Sequence, residues 1–293
     1  MNLLSDIIVA DFSSRLPGPM STMILAQLGA EVFKIEGSEN DGDPFNSDDL
    51  NTYAPHFRDW YKNLNKNKRI IKTTYDDSDI LLRDILAKSN IIIIPDNRFY
   101  NNLISKFKLD NHVVLKLAGG QDDWKFIHDL NALALTRSFL DHLKSTPTPP
   151  FLPIAGISFG QQIATISLAI LRQVDIKKET VSKVIYLKDV SENILGSLDT
   201  DKYSSNGKLL HNGAFPCYNI YITRDLKYIC LAAIEERFWI NLIKIFNLEL
   251  ELKDRFDTSE KVHIYLKKVF SKLNSDEIRE KMKKAPMCLT IYN

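Results

Sequence analysis

The tract KFIHDLNALALT, Lys125 to Thr136, sets a histidine and an aspartate in front of a run rich in leucine and alanine. Histidine is the side chain whose unperturbed pKa, near ~6.5, lets it take and return a proton around neutral pH, so His128 is a candidate general base. A histidine ahead of a helix is equally an ordinary structural residue, and the tract alone does not separate the two. Asp129 beside it can cap the helix that follows or orient a loop. A second stretch, SSRLPGPMSTMILAQLG, follows a strand-like run, and a strand, a glycine-bearing turn and a helix invite a dinucleotide reading. Gly18, however, stands between Pro17 and Pro19 with no partner glycine at G-x-G-x-x-G spacing, so the close backbone approach to a pyrophosphate is not provided. NAD binding is not expected. A helix start there can still hold an anion or a carbonyl oxygen on free N–H groups, and an unliganded Pro-Gly turn fits the same residues. Cations cluster in YKNLNKNKRIIK, with Lys66, Lys68 and Arg69, and in DNRFYNNLISKFKL, with Arg98 and Lys106.

These residues sit in a chain of ordinary globular composition. Its 293 residues are 44% hydrophobic, enough for a substantial core in one large domain or two unequal ones. Thirty-eight basic residues stand against 37 acidic ones, a net charge of +1, so no global field recruits nucleic acid or an anionic membrane. Three cysteines, Cys217, Cys230 and Cys288, lack the pairing of a disulfide framework and the spacing of a zinc site, and fit a reducing cytoplasm. No metal site is expected. The N-terminal apolar run is broken by Asp6 and Asp11, and no apolar stretch is expected to reach the roughly 18 residues that a bilayer span needs. A soluble protein with no membrane partner is expected.

The elements that must position the candidate residues follow from hydrophobic period. Short β-branched runs, DIIVADF (6–12), AEVFKI (30–35), RIIKTT (69–74), NIIIIP (90–95) and HVVLKL (112–117), alternate with helical patterns such as PMSTMILAQLG and SDILLRDILAKS. That alternation predicts βαβ units, and continuous apolar runs such as Ile91 to Ile94 suit strands covered on both faces. After the extended PTPPFLP (147–153) comes FGQQIATISLAILRQ, read as a buried helix, and then a strand and helix in SKVIYLKDVSENILGSL. The polar passage 199–213 reads as a linker. Beyond it, CYNIYITRDLKYICLAAI reads as a hairpin turning at Arg224 to Lys227, followed by helices in ERFWINLIKIF and SEKVHIYLKKVFSKL. The fold class is therefore α/β: a large domain over 1–198 with a parallel sheet, the linker, and a smaller α/β domain over 214–293.

Several motifs in order, VADFSSRLPGPMSTMILAQLGAEVFKIEGSENDGDP, NLNKNKRIIK, HDLNALAL, PPFLPIAGISFGQQ and AAIEERFW, resemble family III CoA-transferases, and within that family the α-methylacyl-CoA racemases. The resemblance runs from Val9 to about Thr290. It implies a CoA-thioester enzyme with a Rossmann-like large domain and a small domain. It also implies an interlocked homodimer whose active site lies between the large domain of one chain and the small domain of the other. Racemising the carbon next to a thioester removes a weakly acidic proton and returns one to the opposite face, and the resemblance gives His128 the role of base. It gives Glu235 the role of the carboxylate that holds the imidazole.

Two departures are visible. Racemases and transferases of the family carry an aspartate just before the turn into the helix of PPFLPIAGISFGQQ, where this chain has Ser158, or Gly156 if the two-residue length difference is placed otherwise. A transferase without that nucleophile cannot form its acyl anhydride, and a racemase is left with one base. The sequence also ends short of a C-terminal segment that the resemblance would lead one to expect. For the phosphates of coenzyme A, the expected cations are Arg15, Lys68, Arg69, Arg98 and Lys106, with lysine supplying charge without arginine's bidentate fork. The expectation is an acyl-CoA-binding, racemase-like protein that exchanges the α-proton of a 2-methylacyl-CoA through His128, with Asp129, Glu235 and Ser158 at the same site. Coenzyme A enters as part of the substrate and no separate cofactor is expected. The alternatives are a CoA-transferase acting between carboxylic acids and an inactive CoA-thioester-binding homologue.

Overall fold

The computed structural model describes residues 2–37, 42–76, 78–136, 139, 143, 148–198 and 210–292. They fall in two compact units, one of 1–140 with 148–199 and the other of 141–147 with 200–293. Of the expected linker 199–213, residues 199–209 lie outside the described residues, and Leu210–Asn212 form a single 3-10 turn.

Each of the five β-branched runs of the first half becomes a strand, β1 (Ile8–Asp11), β2 (Glu31–Gly37), β3 (Arg69–Thr73), β4 (Ile91–Pro95) and β5 (Val113–Ala118), and SKVIYL gives β6 (Val181–Tyr186). They form one six-stranded sheet in the order β3-β2-β1-β4-β5-β6, with every pairing parallel. The tetra-isoleucine run shows why this sheet needs cover on both sides. Ile91 and Ile93 enter one core cluster and Ile92 and Ile94 another, all with no exposure. The two-residue period of a strand sends alternate side chains to opposite faces, so an unbroken apolar run is stable only between two layers. One layer is built on α1 (Pro17–Gln27) and on a 24-residue helix over Ile154–Lys177, and the other on α4 (Ile80–Lys88) and α5 (Arg98–Ser105). Two helices, α2 (Asp48–Tyr53) and α3 (His56–Asn65), lie between β2 and β3, and the short α6 (Asp129–Leu133) follows β5.

The helix Ile154–Lys177, hereafter α7, corrects one expectation. Although polar residues interrupt its sequence, by length and mean hydropathy it is apolar enough to cross a membrane. Ten of its residues, Ala155, Phe159 and Ile163 among them, are buried in the core. Packing therefore accounts for its apolar character. The first unit closes with α8 (Leu187–Ile194).

The second unit holds a three-stranded antiparallel sheet, β7 (Tyr218–Ile222), β8 (Tyr228–Ala232) and β9 (Leu289–Tyr292), packed with α9 (Glu236–Phe246), α10 (Lys261–Phe270) and α11 (Ser275–Met282). The expected hairpin is β7-β8, with Leu226 at φ +60° in its turn. Strand β9 was not anticipated from the sequence. Trp239, wholly buried, centres this core and donates its indole N–H to the Glu251 carbonyl at 3.0 Å.

Candidate functional site

In an open parallel sheet, strand order reverses where two neighbouring strands lead their connections to opposite faces, and ligands bind at the carboxyl ends there. Here that point lies between β1 and β4. A cavity of about 780 Å³ opens there, lined by the exit of β1 (Ser13 to Gly18), by Pro95 at the end of β4, and by the exit of β5 (Leu117 to Gly119). Aromatic rings dominate one side: Phe45 stacks on Phe57 at 4.5 Å between centroids, with Trp60 edge-on at 6.0 Å. A second, more polar cavity of about 450 Å³ shares Ser13 and Ser14 with the first and includes Lys34, Glu36 and Asp43.

His128 and Asp129 both line the larger cavity. His128 is the exposed N-cap residue of α6, and its backbone N–H donates to Asn131 Oδ1 at 3.0 Å, so the turn itself presents the imidazole. Asp129 caps a helix, but α7 rather than α6: Oδ1 accepts the Gly156 N–H at 2.7 Å. The first N–H groups of a helix lack intrahelical acceptors, so a carboxylate here satisfies one and meets the positive end of the helix dipole. Burial nevertheless dominates and raises the Asp129 carboxyl above the usual carboxylate range, while the Gly156 and Ala155 N–H groups oppose the shift.

The opposite wall rests on buried charge. Asp11, at the end of β1, has no exposure and accepts from the Lys68 ammonium at 3.1 Å, the Thr22 hydroxyl at 2.5 Å, the Ser13 N–H at 3.0 Å, and the Ser13 hydroxyl. Its burial alone would raise its pKa, but Lys68, Lys34 and the two hydroxyls bring it down to about 2. Lys68 is drawn down to about 8 because burial outweighs its attraction to Asp11. Lys34, also buried, donates to the Ser13 carbonyl and lies 3.7 Å from Asp43. Gly18 is required by close approach: a Cβ there would come within 2.1 Å of Ser13 Oγ. Neither Asp11 nor Asp43 was expected at a site from the sequence, where Asp11 figured only as a break in the N-terminal apolar run. The available signal was a charged residue inside an apolar strand, Asp11 in IIVADF and Lys34 in VFKIE.

The structure sorts the remaining expected residues. Arg15 lines the large cavity. Lys68 is corrected: its ammonium is enclosed by Asp11, the Pro19 carbonyl at 2.8 Å and Asn65 Oδ1 at 2.9 Å, and is not available to a phosphate. Arg69 is corrected as well. It stands at the amino end of β3, opposite the edge where the cavity opens, paired with Glu31 at 2.6 Å and set over the Phe33 ring. Arg98 begins α5, close after the carboxyl end of β4, and is exposed. Lys106 follows the last turn of that helix, about 12 Å from Arg98 along eight residues, and so lies away from the carboxyl edge. Of the two placements for the missing aspartate, Gly156 is in the cavity wall, as is Phe159, and Ser158 is not among the described residues that line it. At 100° per residue Ser158 points some 200° away from Gly156. A Cβ on Gly156 would meet Leu16 at 3.1 Å and Asp129 Oδ1 at 3.7 Å. Glu235 belongs to the second unit, where it is the exposed N-cap residue of α9.

Residues 4–109 match the model of CoA-transferase family III. A CaiB/baiF CoA-transferase family protein of Caenorhabditis elegans is 24% identical, over 98% of this chain and 85% of the relative. The α-methylacyl-CoA racemase of Mus musculus is 23% identical over 85% of this chain, and the match spans 66% of that racemase's length. Among solved structures, a CaiB/BaiF family protein from Brucella suis superposes with a TM-score of 0.70 over 98% of this chain and 83% of its own, at 16% identity. A protein from Mycobacterium tuberculosis gives 0.66 over 99% of this chain and 84% of its own, also at 16%. Across residues 4–109, along the length of its relatives and in its fold, this chain is similar to proteins of CoA-transferase family III.

Proposed function

We propose that the chain binds an acyl-CoA thioester in the cavity at the carboxyl edge of the parallel sheet and exchanges the proton α to the thioester carbonyl, with His128 as base. The observation that carries this reading is the placement of an imidazole and a desolvated carboxyl, His128 and Asp129, side by side in the wall of one apolar cavity. The aromatic side of Phe45, Phe57 and Trp60 suits an acyl group, and the polar cavity that shares Ser13 and Ser14 gives an elongated substrate a second compartment. Abstraction of the α-proton by His128 leaves an enolate, and the proton returns from His128 or from Asp129, whose raised pKa suits it to proton exchange. Coenzyme A is part of the substrate, and the chemistry asks for no resident cofactor. A cytoplasmic homodimer is part of the proposal, and light scattering at micromolar concentration measures the mass.

The relatives' racemase name is carried by matches at 23% identity, and a CoA-transferase is the second reading. What weighs against it is that the start of α7 brings Gly156, and no acyl-accepting carboxylate of its own, to the cavity wall. Proton NMR of a 2-methylacyl-CoA incubated with the protein in deuterated water separates the readings. Loss of the α-proton signal supports exchange. Transfer of coenzyme A between two acids with the α-proton retained selects a transferase, and binding with neither reaction selects an inactive binder.

A further inference from the structure

Arg15 holds the backbone at φ +64°, a left-handed conformation that crowds the Cβ of any residue but glycine. Such a conformation persists only where its surroundings fix it. The surroundings here are one carboxylate. The Arg15 N–H donates to both oxygens of Asp43, each at 3.0 Å, and the Phe45 N–H donates to Asp43 Oδ1 at 3.0 Å. Asp43 is reached from the other side by Lys34, 3.7 Å away, with both side chains 1% exposed. Lys34 in turn donates to the Ser13 carbonyl, and Ser13 is tied to Asp11 through its N–H and hydroxyl. The four residues after β1 are thus gripped from β1, β2 and the segment before α2. Arg15 lines the large cavity, Asp43 the polar one, and Ser13 and Ser14 both.

We infer that Asp43 is a positioning residue, a carboxylate clamp neutralised by Lys34 that holds Arg15 left-handed so that its side chain stands in the cavity wall. It acts through Arg15 and need not touch a ligand. The clamp itself stands without the proposed acyl-CoA reading, and only its effect on ligand affinity rests on that reading.

The test has two arms. In the first, amide hydrogen exchange by mass spectrometry compares the wild-type chain with Asp43→Ala and Asp43→Asn over residues 12–22, with α7 as an internal reference. Asp43→Ala should speed exchange of the Arg15 amide about tenfold, as for the loss of hydrogen bonds to a charged acceptor, with α7 unchanged. Asp43→Asn, which keeps one acceptor oxygen and the shape, should speed it less, and it is the variant read if Asp43→Ala does not fold. Wild-type exchange at 12–22 in the folded variants overturns the clamp. In the second arm, calorimetry measures acetyl-CoA affinity for Asp43→Asn, Arg15→Gly and the double variant. Glycine adopts a left-handed backbone without help, so each single change should weaken binding and Asp43→Asn should add nothing in the Arg15→Gly background. Additive losses overturn the action of Asp43 through Arg15. A wild-type chain that binds no acetyl-CoA contradicts the acyl-CoA reading and leaves the clamp to the exchange result.

Discussion

The two walls of the large cavity are held by different forces. The wall after β1, Ser13 to Gly18, stands on ions taken out of water: Asp11 with Lys68 at 3.1 Å, and Asp43 with Lys34 at 3.7 Å. The wall after β5, Leu117 to Asp129, carries His128 and stands on local backbone. It includes a 3-10 turn over Asp122–Trp124 and ends in the α6 N-terminus, and its Trp124 and Phe126 are 41% and 88% exposed. In the first wall, removing one partner strands a buried charge. In the second, side chains can change with little loss of folding free energy. The wall that bears the candidate base is therefore the one where reactivity and stability separate.

The largest expected effect falls on the first wall. Lys68→Met removes the ion-pair partner of the buried Asp11 and should cost about 3–5 kcal/mol, read by denaturant unfolding. A cost below 1 kcal/mol would mean that the pair does not hold the wall. Acid should show the same dependence. The folded pKa of Asp11, about 2, lies below its ordinary 3.8, so its contribution is complete above about pH 4 and is lost as pH falls through 2. The thermal midpoint should therefore drop between pH 4 and 2 more steeply in the wild type than in Asp11→Asn.

Smaller effects belong to the second wall. Asp129→Ala removes a cap from α7 and should cost about 1 kcal/mol, while Asp129→Asn, keeping an acceptor for the Gly156 N–H, should recover most of it. Ser158→Asp should change neither stability by more than about 0.5 kcal/mol nor α-proton exchange, because residue 158 lies off the cavity face of α7. A gain in exchange with Ser158→Asp would return that position to the site.

How much of this was legible in the sequence follows the same division. The strands were, because Ile91 to Ile94 and Val113 to Leu115 are too apolar for any place but a covered sheet. Strand β9 was not: LTIY is four residues long and is fixed by pairing with β8 rather than by its own pattern. His128 was legible as a candidate from its residue type, but the target of Asp129, a helix start 27 residues on, is a tertiary fact. The Gly156 placement was within reach, since Pro153 marks the helix start and counting from it puts residues 156 and 159 on one face. Lys68 misled because a lysine in NKNKR reads as a cation open to a phosphate, whereas alternate residues entering a strand face opposite ways and one of them met Asp11.

The most direct test of the account is the α-proton signal of a 2-methylacyl-CoA in deuterated water, followed with wild type and His128→Ala under matched stability. Because His128 is exposed on the lightly held wall, its removal should leave unfolding within about 0.5 kcal/mol of wild type. Exchange should fall by about 10²-fold or more, as for loss of a general base. Exchange that continues unchanged in a folded His128→Ala variant would contradict the central claim.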